Sequence, residues 1–291
     1  MPHDPDTSPQ VDTDFTRARR KAFLRRIGSF LRNDPESNRL LSFEEVKHAL
    51  GAVDQVYLGK QKVPLEKIVG SVGRHRDFDR AFLPSTVGSE TRWKKIDALM
   101  HRAEDLPPVS LYKVGDVYFV QDGNHRVSVA RQRRVKALAA EVTELKTRVP
   151  AGSALTAGSL LYKLEYRRLL ERLPVDRVLP EVEVSFSNVA DYRRLATYIE
   201  AYGFRLSQLE QRYISSEEAL RHWYEHSYRP VAEMIREERV LEVFPGRTEP
   251  DLYLWIVDHR EKLVLETRDE TVSSKAAKED MLRKSRRGVR K

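Results

Sequence analysis

No cysteine occurs in these 291 residues. That absence excludes disulfides, thiolate zinc sites, iron–sulfur clusters and a cysteine nucleophile. Long apolar runs are missing as well: no stretch approaches the roughly 18 apolar residues that span a bilayer. Met1 to Asp14 is polar, acidic and proline-containing, with no apolar centre. It does not read as a secretory signal, and a cytoplasmic protein is expected. Internal repeats are absent too.

Positive charge is scarce where a nucleic-acid surface would need it. The net charge is +8. Of this, residues 275–291 carry +6, from eight Lys or Arg against Glu279 and Asp280, and residues 1–26 carry +2, from six Arg or Lys against four Asp. The remaining middle is neutral, so nucleic-acid binding, if present, is expected through the basic arms.

What is present supports a folded protein. Hydrophobic residues make up 40% of the chain, enough for a packed core in one large domain or two ordinary ones. Residues 1–13 read as disordered. Phe15, Phe23, Ile27 and Leu31 fall at helical spacing among Arg17, Arg19, Arg20, Lys21, Arg25 and Arg26, a basic amphipathic helix that either docks on the body or meets an anionic surface. Ser42 stands three residues before Glu45 and predicts a capped helix to Leu50. Short strand-like pieces follow at Gln55–Leu58 and Val63–Val69. Residues 70–84 are dense in Arg, Asp and Gly. Arg74 and Arg76 there suit an anion, and Asp77 and Asp79 suit a metal or a general base; a surface loop tied by Arg–Asp pairs is the other reading. A helix is expected over 89–104, amphipathic with Trp93, Ile96, Leu99 and Met100 at its apolar positions.

Gly115 and Asp116 predict a hairpin between Val109–Val114 and Val117–Val120. The second strand runs into Asp122, Gly123, Asn124, His125 and Arg126, then into a short helix and a return strand over 137–145. A strand that turns sharply into a helix leaves backbone N–H groups converging at the helix start, a natural anion site. Asp122, Gly123, Asn124, His125 and Arg126, with Arg74 and Arg76 beside them, are the expected phosphate-binding residues.

Residues 151–159 read as a flexible linker, and the rest as mainly helical. Helices are expected over 160–173, from Asn188 to a stop at Gly203, after Ser207 and Ser215, from Pro230 and from Thr248, with a short strand at Glu183–Phe186 and a disordered tail after Asp269. His222, Glu225 and His226 fit a zinc-peptidase spacing, but no third ligand is evident and no zinc is expected. Trp255 reads as core, and Arg247 as a weak second anion contact.

The order proline-led strand at Pro108, hairpin, strand, Gly123–Arg126 turn, helix and return strand over 139–142 resembles the ParB/sulfiredoxin superfamily, in which Asp122 to Arg126 is similar to an Asp-Gly-x-His-Arg variant of the turn. The resemblance covers about residues 50–145. It implies an α+β fold with a small mixed sheet and helices, followed by a mainly α-helical domain, and a turn that binds a nucleoside triphosphate, CTP or ATP, with or without Mg2+. Sulfiredoxin chemistry needs a cysteine in the turn, and this chain has none. ParB proteins continue into a helix-turn-helix. The second half here resembles instead a helical domain of bacterial proteins marked by Phe244-Pro245-Gly246-Arg247-Thr248-Glu249 and Asp251-Leu252-Tyr253-Leu254-Trp255.

The expected organisation is an arm with basic amphipathic helices over 1–50, a nucleotide-binding domain over 51–148, a helical domain over 149–268 and a basic tail over 269–291. The expected function is a nucleotide-binding regulatory or switch module. The alternatives are a phosphoryl-transferring or nucleotide-hydrolysing enzyme using Asp77 or Asp79, and a DNA-associated protein; a homodimer is compatible with each.

Overall fold

The computed structural model describes residues 13–22, 24, 40–84, 90–102, 106–152, 155–269 and 271–288. The chain forms two compact units, Met1–Arg167 and Arg168–Lys291. Among the described residues no helix is long and apolar enough to cross a membrane.

The first unit is built on a six-stranded mixed sheet. Its strands are β1 (Leu41–Ser42), β2 (Ala52–Pro64), β3 (Ile68–Ser71), β4 (Val109–Val114), β5 (Val117–Asp122) and β6 (Ala137–Thr147), in the order β1-β3-β5-β4-β6-β2. β1, β3 and β5 are parallel neighbours. β5 returns antiparallel to β4 through the expected hairpin, with Gly115 left-handed at φ 58°. The fold class is α+β, as the sequence implied.

Around the sheet lie α1 (residues 13–22), α2 (Phe43–Leu50), α3 (Glu90–His101) and α4 (Asn124–Gln132). Period-2 alternation sends Phe119 and Val120 to opposite sheet faces. Phe119 meets Phe43 of α2, which stacks on Tyr112 at 4.5 Å. Val120 joins a core with Ile68, Phe78, Phe82, Leu111, Val127 and Val142 beneath α4. A further layer forms where Phe15, Ala18 and Ala22 of α1 pack with Trp93, Leu83 and Val129. The described part of the basic helix is therefore docked, with Arg17, Arg19, Arg20 and Lys21 exposed; Phe23, Arg25, Arg26, Ile27 and Leu31 lie outside the described residues.

Two expectations fail in this unit. The pieces at 55–58 and 63–69 belong to the single strand β2, a 3-10 turn and β3. The break suggested by Gly59 is a register shift between Tyr57 and Gly59 in the β2–β6 ladder, with Gly59 at φ 78°. The flexible linker is also not seen among the described residues of 151–159: Ala151 and Leu155 are buried, and α5 (Ala157–Arg172) begins soon after, while 153 and 154 lie outside the described residues.

The second unit contains α6 (Val175–Val178), α7 (Asp191–Glu210), α8 (Ser216–Trp223), α9 (Arg229–Glu237), α10 (Glu249–Thr267) and α11 (Ser274–Gly288). Ser215 caps α8, and Thr248 caps α10 in a reciprocal box with Asp251, as predicted. The strand expected at Glu183–Phe186 does not form. Val184 and Phe186 are buried by packing, Phe186 edge-on to Tyr192, without a partner ladder. Gly203 does not end α7, and Ser207 lies inside it. A Cβ at Gly203 would stand 2.7 Å from that of Ala219, so the glycine admits α8 to close approach. The tail expected to be disordered is helical over 274–288. Ala277 and Lys278 are buried, Lys278 pairs with Glu238, and Asp280 accepts from His259 of α10 at 2.8 Å. Charge alone had suggested a free tail, but part of that charge is neutralised within the unit.

Candidate functional site

The three parallel strands end on one edge of the sheet. β1 runs into α2, β3 into the Arg/Asp-rich loop and β5 into α4. Carboxyl ends of parallel strands are where helix N-termini and loops converge on ligands.

Gly123 makes the turn from β5 to α4 possible. It sits at φ 103°, and a Cβ there would come within 2.6 Å of Val109 and 3.0 Å of Arg126 Nε. The first intrahelical bond of α4 is Val127 N–H to Gly123 O at 3.0 Å. The N–H groups of Asn124, His125 and Arg126 precede it and point off the helix start, where the macrodipole is positive.

Asn124 and His125 are buried, and Asn124 Oδ1 and His125 Nδ1 have no hydrogen-bond partner. Across from them, Arg74 reaches from the β3 loop to within 3.5 Å of His125 Nε2. Arginine only donates, so Nε2 accepts and the ring proton sits on Nδ1. Burial, followed by the positive charges of Arg74 and Arg92, holds the His125 pKa down to about 4, against an opposing effect of Asp77. The imidazole is neutral at pH 7. Phe78 meets it edge-on at 5.3 Å.

Arg126 is placed differently from expectation. Its guanidinium donates to Pro107 O, to Pro108 O at 2.9 Å and to Asp122 at 2.5 Å, tying the turn to the entry of β4. Hydrogen bonds from charged groups are worth about 1.5–3 kcal/mol each before solvent exposure reduces them. Arg126→Ala is therefore expected to lower stability by about 2 kcal/mol in urea denaturation, with loss of order in the turn.

Asp79 also serves the fold. It is buried, and its Oδ1 accepts from Ala81 N–H at 2.9 Å and Leu83 N–H at 2.8 Å. These bonds hold the loop that carries Phe82 at φ 58°. Asp77, half-buried, is the acidic residue whose charge acts on His125, and Arg76 is exposed. The structure thus brings together Arg74, Asp77, Asn124 and His125, with Asp122, Gly123 and Arg126 shaping the turn. Arg92 and Phe78 were missed, since nothing in their spacing marks them.

In the second unit, His222 Nδ1 lies 2.8 Å from Tyr202 Oη, and His226 Nδ1 lies 3.0 Å from the His222 carbonyl. Arg247 stacks on Trp255 at 4.6 Å and donates to Ser187 at 2.8 Å.

No protein-family model matches this chain, and no curated protein matches it. Among solved structures, the crystal structure of sulfiredoxin from Arabidopsis thaliana aligns with 28% of this chain and 82% of its own, at 18% identity and a TM-score of 0.23. A likeness of that size carries no weight beside the strand order and turn geometry themselves.

Proposed function

We propose that the first unit binds the phosphates of a nucleotide at the start of α4, as a regulatory or switch module. The observation that supports this most is the coincidence of three backbone N–H groups before the first helical bond with the Arg74–His125 contact. Phosphate oxygens would accept from the helix start, as anions do at helix N-termini. Arg74, which is exposed, would supply the charge-assisted contact. Neutral His125 would donate from Nδ1, and Asn124 would meet a sugar hydroxyl or a further phosphate oxygen.

CTP and ATP, each with and without Mg2+, are the ligands to test. A ligand at 100 times its Kd adds about 2.7 kcal/mol of stability, visible as a raised melting temperature. Arg74→Ala is expected to weaken calorimetric binding by about 10- to 100-fold, one charged hydrogen bond, while leaving the melting temperature of the free protein unchanged. If no nucleoside triphosphate shifts the melting temperature, or if Arg74→Ala binds like the parent, the reading fails. Turnover of the nucleotide that disappears in Asp77→Asn would make the protein a phosphoryl-transfer enzyme, the reading that the Asp77–His125 proximity favours second.

A further inference from the structure

We infer that Asp14, Asp97 and His101 form a binding site for one divalent transition-metal ion, which joins α1 to α3. Each side chain offers one ligand atom, and these atoms lie within 4.8 Å of one another. His101 Nε2 is 3.8 Å from Asp14 Oδ2 and 3.9 Å from Asp97 Oδ2. Ligands on bonds of about 2.1 Å stand at most about 4.2 Å apart, so one ion reaches both pairs. Rotation of the partly exposed Asp14 carboxylate closes the third.

The buried member points to a ligand. The Asp97 side chain is 1% exposed, and its Oδ2 has no hydrogen-bond partner. A carboxylate oxygen removed from water without a donor is costly, and native structures rarely leave one so. Its other oxygen accepts from Arg133 Nε at 2.8 Å, while Arg133 also donates to the Asp97 carbonyl at 3.1 Å. This outer contact fixes the carboxylate as the partners of metal ligands do. Asp97 and His101 are four residues apart on α3 and share a helix face. Asp14 comes from α1, where Arg17 lies 3.6 Å from its other oxygen.

One imidazole and two carboxylates suit Zn2+ or Mn2+, with further positions left to water. The site is separate from the proposed nucleotide site: Arg133 is at the C-terminal cap of α4 and Gly123 at its N-terminal cap. It therefore stands or falls independently of nucleotide binding.

The test titrates Zn2+ and Mn2+ into the full chain, tag-free, stripped with chelator and without nucleotide. One equivalent is expected to bind and to raise the melting temperature. Loss of an outer partner of a metal ligand costs 10- to 100-fold in affinity, so His101→Ala is expected to cost about 100-fold or more. Asp14→Asn, on a partly exposed side chain, should weaken binding without disturbing the free protein. His222→Ala should change nothing. The inference is overturned if the parent takes up neither ion, if His101→Ala and Asp14→Asn both bind as the parent does, or if His222→Ala abolishes uptake.

Discussion

Trp93→Ala is expected to lower stability by about 4 kcal/mol, near the upper range for truncating a buried aromatic. Trp93 is fully buried, and it is where α1, α3, α4 and the loop at Leu83 meet. Its ring lies 5.5 Å from that of Phe15, and its indole N–H donates to Ser128 Oγ at 2.9 Å, both groups being buried. Alanine removes the ring, opens a cavity and deprives the Ser128 hydroxyl of its donor. Denaturant unfolding would read the loss, and a change below about 1 kcal/mol would contradict the packing described. Limited proteolysis should cut α1 faster, because Phe15 loses the surface on which it docks.

The second large effect is expected from Gly70→Ala, about 3 kcal/mol, at the high end for overpacking. Gly70 pairs with Leu41 on one side and Phe119 on the other, in the middle of the parallel strands. A Cβ would fall 2.4 Å from Phe119 Cδ1 and 2.5 Å from the Leu41 carbonyl oxygen. Backbone cannot yield there without breaking the ladder. The phenyl ring is confined too, since Phe119 abuts Phe43, which stacks on Tyr112. The cause is steric and local, so adding Phe119→Leu should recover part of the loss. A double variant no more stable than Gly70→Ala would place the cost elsewhere.

Both effects concern residues whose importance the sequence showed unevenly. Trp93 was legible as the apolar anchor of a periodic helix. Gly70 was one glycine among several in an Arg-rich stretch, because its constraint comes from two strands distant in sequence. The caps at Ser42, Ser215 and Thr248 could be read, since capping is a contact over three residues. Gly203 and Ser207 showed the same local signals and misled: a glycine also serves where a neighbouring helix needs room, and only packing distinguishes the cases. The tail was read from charge, while its helix depends on Ala277 and Lys278 finding α10 and Glu238.

The site divides in the same way. The strand, Gly123 turn and helix were legible because hydrophobic period and glycine change together there. Arg74 and Arg76 were grouped with the turn from the sequence, but which of them touches His125 was not legible, since that contact exists only once β3 lies parallel to β5. Nor was the use of Arg126, which depends on the carbonyls of Pro107 and Pro108. Asp97 and His101 stand four residues apart, but nothing in the sequence marks the pair, and the third member lies on a helix far upstream.

The pairing of β2 with β6 has a kinetic meaning. Ala52 lies opposite Thr147, so this ladder joins the second strand of the sheet to its last, across β3, β4 and β5 in the sequence. The β4–β5 hairpin closes a short loop and can form early, whereas the β2–β6 ladder must close the long segment between Pro64 and Ala137. Folding rate should therefore be set by long-range closure, with the hairpin present in the transition state and β2 arriving late. Until β2 docks, the outer edge of β6 is an open strand, and the interval before closure is when self-association through that edge would compete with folding.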